Sequence, residues 1–117
     1  MAAGGKTKID QLTFDQARPA PVVLISGPEM FLADRASRVI RDTLRAADAA
    51  LEVYELDSSG YASGELFTVA SPSLFADPRL IRVDSVEKSS DAFLEDAKRY
   101  LTDPAEGTTL VLRHAGG

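Results

Sequence analysis

Pro21-Val22-Val23-Leu24-Ile25-Ser26-Gly27-Pro28-Glu29-Met30-Phe31-Leu32-Ala33-Asp34 is a short apolar run that meets a Gly-Pro break and turns toward a helix. Val22 to Ile25 are aliphatic with no polar alternation, which suits a strand covered on both faces, as in a parallel sheet with helices on either side. Pro28 fits a first helical turn, where its missing N–H costs nothing. The stretch therefore predicts a strand, a turn and a helix N-terminus, in that order.

Nucleotide-binding proteins place a phosphate loop at such a junction, because free N–H groups at a helix N-terminus, approached over glycines, hold an anion. Counting G-x-x-x-x-G-K-[ST] from Gly27 puts Leu32, Ala33 and Asp34 where a glycine, the phosphate-reaching lysine and the magnesium-binding hydroxyl belong. Asp34 adds a negative charge instead. A single glycine equally serves a plain β-α turn, so this loop is degenerate and no nucleotide cofactor is expected.

From Pro28 to about Ala47, Leu32, Ala36, Val39, Ile40, Leu44 and Ala47 recur at helical spacing, with Arg35, Arg38, Arg41, Asp42 and Arg45 on the remaining faces. Asp34 and Arg38 stand i,i+4 in the favourable orientation, worth ~0.3 kcal/mol. Residues 51–57 form a second strand, whose Glu52 and Glu55 place it near a sheet edge. Ser63 offers a cap for a short helix over 65–70, which Pro72 interrupts. Residues 79–84 read as a third strand ending in Asp84. Ser89 or Ser90 caps a third helix with Phe93, Leu94, Ala97 and Leu101 on one face, and residues 108–113 are a fourth strand. Strands alternating with helices predict an α/β fold: a parallel, three-layer sheet with flanking helices. Residues 1–20 read as a flexible leader in which Ile9, Leu12 and Phe14 are the sizeable apolar groups, able to cover one sheet edge.

The chain has 117 residues, 44% of them hydrophobic and 26% charged, enough for one domain with one core, here residues 21–117. A net charge of -5 disfavours wholesale capture of nucleic acid, leaving only the arginines of the first helix as a basic patch. There is no cysteine for a disulfide framework or a thiolate metal site. No apolar run approaches the roughly 18 residues of a membrane span. A cytoplasmic protein is the expectation, without membrane contact.

No enzyme constellation emerges. Asp84 after an apolar strand resembles the metal-holding acid of an ATPase, but Ser85 follows it instead of a second carboxylate, and a strand-end aspartate capping the next turn is the plainer reading. A phosphorylated receiver domain needs clustered acids where this chain has Ser26-Gly27-Pro28. His114 is the only histidine and Ser26 lies outside a G-x-S-x-G elbow. In Ser71-Pro72-Ser73-Leu74-Phe75-Ala76-Asp77-Pro78, Leu74 and Phe75 are either core plugs, the commoner fate of large apolar side chains, or an exposed hot spot for a partner's pocket.

Together these pieces resemble the N-terminal domain of the delta subunit of bacterial DNA polymerase III, a clamp-loader component in DNA replication. The likeness spans about residues 12–117. It rests on Pro21 to Glu29 with Phe31-Leu32, on Ser73-Leu74-Phe75 followed by Arg79-Leu80-Ile81-Arg82-Val83, and on Glu87-Lys88 before a helix and the Leu110-Val111-Leu112 strand. The resemblance implies a P-loop-NTPase or AAA+-like fold with a degenerate nucleotide site. It implies that Ser73, Leu74 and Phe75 contact the ring-shaped sliding clamp (the beta subunit), which this subunit helps to open while other subunits hydrolyse ATP. Such proteins continue into further C-terminal domains that meet the other clamp-loader subunits, and they meet DNA only within the assembled complex, so the chain reads as a fragment. A fifth strand beside the first would then be missing, leaving an edge exposed. Family clamp-binding peptides often start with glutamine, whereas Ser71 and Pro72 precede Ser73 here. A nucleotide-binding or NTPase domain with an atypical loop is the alternative, and a purely structural domain a third.

Overall fold

The computed structural model describes residues 10–11, 21–71 and 77–115. Their elements run β1 (Asp10–Gln11), β2 (Val22–Ser26), α1 (Met30–Ala47), β3 (Glu52–Asp57), α2 (Glu65–Ala70), β4 (Arg79–Asp84), a 3-10 turn at Val86–Lys88, α3 (Asp91–Thr102) and β5 (Thr108–His114). Every strand pair is parallel and the order is β1-β2-β5-β4-β3, so four full strands carry a two-residue strip on the β2 edge. The α/β architecture with a parallel sheet and flanking helices is the one the alternating pattern predicts. No helix among the described residues is long and apolar enough to cross a membrane.

Each face of the sheet has its own core. Val23, Ile25, Leu80 and Val111 meet Ala33, Ala36 and Ile40 of α1 on one side. Val22, Ile81, Val83 and Leu110 meet Leu66 and Ala70 of α2 and Phe93, Ala97 and Tyr100 of α3 on the other. Successive strand residues alternate between these layers, which is why β2, β4 and β5 carry consecutive apolar residues, as in Val22-Val23, Leu80-Ile81 and Leu110-Val111. The small side chains of α1 suit close approach to the sheet, whereas the opposite layer is filled by aromatic rings, with Tyr61 and Phe93 edge to face at 5.3 Å.

Strand β3 is at the sheet edge, where its glutamates placed it. Both glutamates also set its register: Glu52 lies opposite Arg79 and Glu55 opposite Arg82, with ion pairs of 3.3 and 2.5 Å. Because Glu52 and Glu55 are an odd number of residues apart, one pair faces each layer, and a one-residue slip would break both.

Several local expectations need correction. Helix α1 starts at Met30, not Pro28, because Glu29 is extended (ψ 92°) and interrupts any helical run from the proline. Val39 and Leu94, assigned to apolar faces, are instead exposed, and Ala47 is exposed too. In α3 the helix is turned so that Asp96 and Tyr100 point inward with Phe93 and Ala97. Ser63 does not cap α2; the N-cap is Gly64 at φ 88°, where no side-chain penalty arises, and the Ala62 N–H donates to the Glu65 carboxylate. Ser90 rather than Ser89 caps α3, accepting from the Phe93 N–H at 3.3 Å. The ion pair on α1 is Arg41 with Asp42, not Asp34 with Arg38.

Candidate functional site

In open α/β sheets ligands bind beyond the carboxyl ends of the strands, and here that end gathers Gly27, the Asp84-Ser85 turn and the close of β5. Gly27 has φ 133°, a conformation that favours glycine. Its N–H donates to the His114 carbonyl at 2.9 Å, tying the loop to β5. The Ala33 N–H donates to the Glu29 carbonyl, and the Glu29 side chain makes no cap bond. Of the positions read against a phosphate loop, Leu32 is half-buried, Ala33 is buried in the α1 core and Asp34 is exposed. The residue at the lysine position thus faces the sheet rather than the loop. Beside the loop, Met30 and Phe31 are 66% and 69% exposed.

Asp84 ends β4 with an exposed side chain, and the turn after it is not capped by that carboxylate, as expected, but by Ser58. Wholly buried, Ser58 donates its N–H to the Asp84 carbonyl at 3.2 Å. Its hydroxyl shares one hydrogen between the Asp84 and Ser85 carbonyls at 2.8 and 2.6 Å. The Ser58 carbonyl accepts from the Ser90 N–H. One serine therefore joins the ends of β3 and β4 to the start of α3, and Ser85 sits at φ 62° in the turn so held. Next to it, the Ala115 N–H donates to the Glu87 carboxylate at 2.9 Å, and this bond above all holds the Glu87 pKa below its usual value.

Between α1 and the ends of β4 and β5 lies a cleft of about 140 Å³, lined among others by Asp34, Ser37, Glu55, Arg82, Asp84 and Arg113. Arg82 donates from Nη2 to Glu55 Oε2 and from Nη1 to Ser37 Oγ at 3.4 Å. Its Nε is buried and has no acceptor, and the same holds for Nε and Nη2 of Arg113. These two arginines were not singled out by sequence reading. The available signal was a cationic residue near the end of an otherwise apolar strand, in Leu80-Ile81-Arg82-Val83 and in Leu110-Val111-Leu112-Arg113.

Ser71, which follows α2, and Pro78, which precedes β4, are the described residues on either side of the Leu-Phe step. Ser73, Leu74 and Phe75 are outside the described residues. Their described flanks are anchored: the Ser71 hydroxyl donates to the Phe67 carbonyl at 2.8 Å, and the Pro78 carbonyl accepts from the Glu52 N–H. Compared with family models, with curated proteins and with solved structures, the chain finds no match.

Proposed function

We propose that the chain is a non-catalytic clamp-loader module, the AAA+-like N-terminal domain of a delta-type subunit of bacterial DNA polymerase III. The observation that carries this reading is the closed loop after β2. Gly27 spends its N–H on the His114 carbonyl, and Ala33 is buried where a lysine would have to reach phosphate, both within a three-layer parallel sheet. Asp10–Gln11 lies on the edge of β2, where the resemblance leaves an edge open. A domain of this kind serves as a platform, and ATP hydrolysis belongs to other subunits of the complex.

On this reading Ser73, Leu74 and Phe75 enter an apolar pocket of the sliding clamp. In sequence they fall between α2 and β4, on a connection, where binding residues are commonly carried. Two such anchors, each worth about 1.5–3 kcal/mol when fully buried, are enough to centre a small interface. The test is co-elution of the chain with a bacterial sliding clamp on a sizing column. Leu74→Ala with Phe75→Ala should abolish co-elution and leave the melting temperature nearly unchanged. A pair belonging to the core would instead cost about 2–5 kcal/mol per residue, and that result, or unchanged co-elution, overturns the assignment. Saturable magnesium-ATP binding with shifts of the 27–34 amides would favour the nucleotide-binding alternative.

A further inference from the structure

We propose that the cleft between α1 and the ends of β4 and β5 binds a small oxoanion, a carboxylate or a phosphate, on the Nε/Nη2 edge of Arg113. On a guanidinium these two groups lie side by side and direct their N–H bonds in parallel, which matches two oxygens of one carboxylate or phosphate. Both nitrogens are buried without an acceptor, and so is Nε of Arg82. Arg82 lies in register with Val111, so Arg113, two residues further along the adjacent strand, shares its face. Both arginines line one cleft, and between them they carry three buried donors with nothing to receive them.

Buried donors of this kind are costly to leave unmet, most of all when they carry charge. Glu55 is already engaged by Arg82. Asp34 and Asp84 line the same cleft but are exposed, and neither is bonded to Arg113, whose Nε and Nη2 have no partner. The cavity of about 140 Å³ accommodates acetate or inorganic phosphate and falls well short of the roughly 300 Å³ at which sites for larger ligands begin. Size therefore separates this site from one for a whole nucleotide. The inference is independent of the clamp-loader reading.

The experiment follows the arginine Nε–H resonances of the whole chain by NMR during separate titrations with acetate, inorganic phosphate, ATP without magnesium, and chloride at matched ionic strength. Saturable shifts of the Arg113 and Arg82 signals are expected with acetate or phosphate and not with chloride, and whichever anion binds identifies the source chemistry. Arg113→Lys keeps the charge and removes the paired edge, so binding should weaken about tenfold or more. Arg82→Lys should weaken it less, and amide spectra of both variants check that the fold is retained. The proposal is overturned if no anion gives a saturable shift, if Arg113→Lys binds as well as the parent, or if ATP binds more tightly than phosphate. It is also overturned if Arg113 proves bonded to a carboxylate of the chain, seen as a shift of its Nε–H on Asp34→Asn or Asp84→Asn that anions do not reproduce.

Discussion

The two faces of the sheet treat buried polar groups in opposite ways. Under α2 and α3, Asp96 is 3% exposed and accepts from the Tyr61 hydroxyl at 2.6 Å and the Gly64 N–H at 2.7 Å. The Tyr61 oxygen accepts in turn from the Leu66 N–H at 2.7 Å. Donors and acceptors close on one another, joining the start of α2 to α3. Under α1, Arg113 and Arg82 leave three buried N–H groups open. A satisfied network makes a layer rigid and specific, whereas an open one invites a ligand.

The strongest way to break this contrast is through the filled layer itself. Phe93→Ala should destabilise by about 3–5 kcal/mol, read by urea denaturation, because the ring is fully buried against Tyr61. Asp96→Ala should cost about 2–4 kcal/mol, since it strands the Tyr61 hydroxyl and the Gly64 N–H in a buried setting. Opposite behaviour is expected across the sheet: Arg113→Met should be neutral or stabilising by ~1 kcal/mol, as a half-buried guanidinium with two unmet N–H groups gives way to an apolar side chain. A loss as large as that of Asp96→Ala would end the distinction between the faces.

Titration sharpens the same comparison with a smaller effect. The hydrogen bond from Tyr61, followed by that from Gly64, holds Asp96 below its usual pKa of 3.8. Its contribution is present above pH 3.8 and is lost as pH falls through the lower folded value. Burial, reinforced by the bond to Asp96, pushes Tyr61 up to about 12 from 10.0. Its contribution is complete below pH 10.0 and declines as pH rises from there through about 12, because the unfolded chain ionises first. Stability measured against pH should therefore fall at both ends, and Tyr61→Phe should flatten the alkaline limb. The smallest effect belongs to the outer surfaces: Val39→Lys and Leu94→Lys should each change stability by no more than about 0.5 kcal/mol.

Which helix residues reach the core was only partly legible. Periodicity located α1 and α3, yet it placed Val39 and Leu94 inward because helical spacing admits neighbouring stripes that differ by one residue. The choice among stripes follows from what each helix meets: α1 lies close to the sheet on Ala33, Ala36 and Ile40, and α3 is rotated to bring Asp96 under Tyr61. A buried aspartate is not a residue that hydrophobic patterning can place. The cleft was hidden for a similar reason, since Arg82 and Arg113 are far apart in sequence and become neighbours only through the pairing of β4 with β5.

The amino-acid sequence alone was enough for the succession of helices with the four longer strands, the covered character of β2, the edge position of β3 and the absence of a lysine after Gly27. These are local properties: runs of aliphatic residues, glycine and proline breaks, and the identity of single side chains. Only the tertiary structure decided that the Gly27 N–H is taken by His114, that Ser58 closes the Asp84 turn, and that Asp96 is satisfied while Arg113 is not. Hydrogen bonds between distant residues depend on strand order and helix rotation, which local sequence restricts without specifying, because buried polar groups find their partners only after the layers have packed.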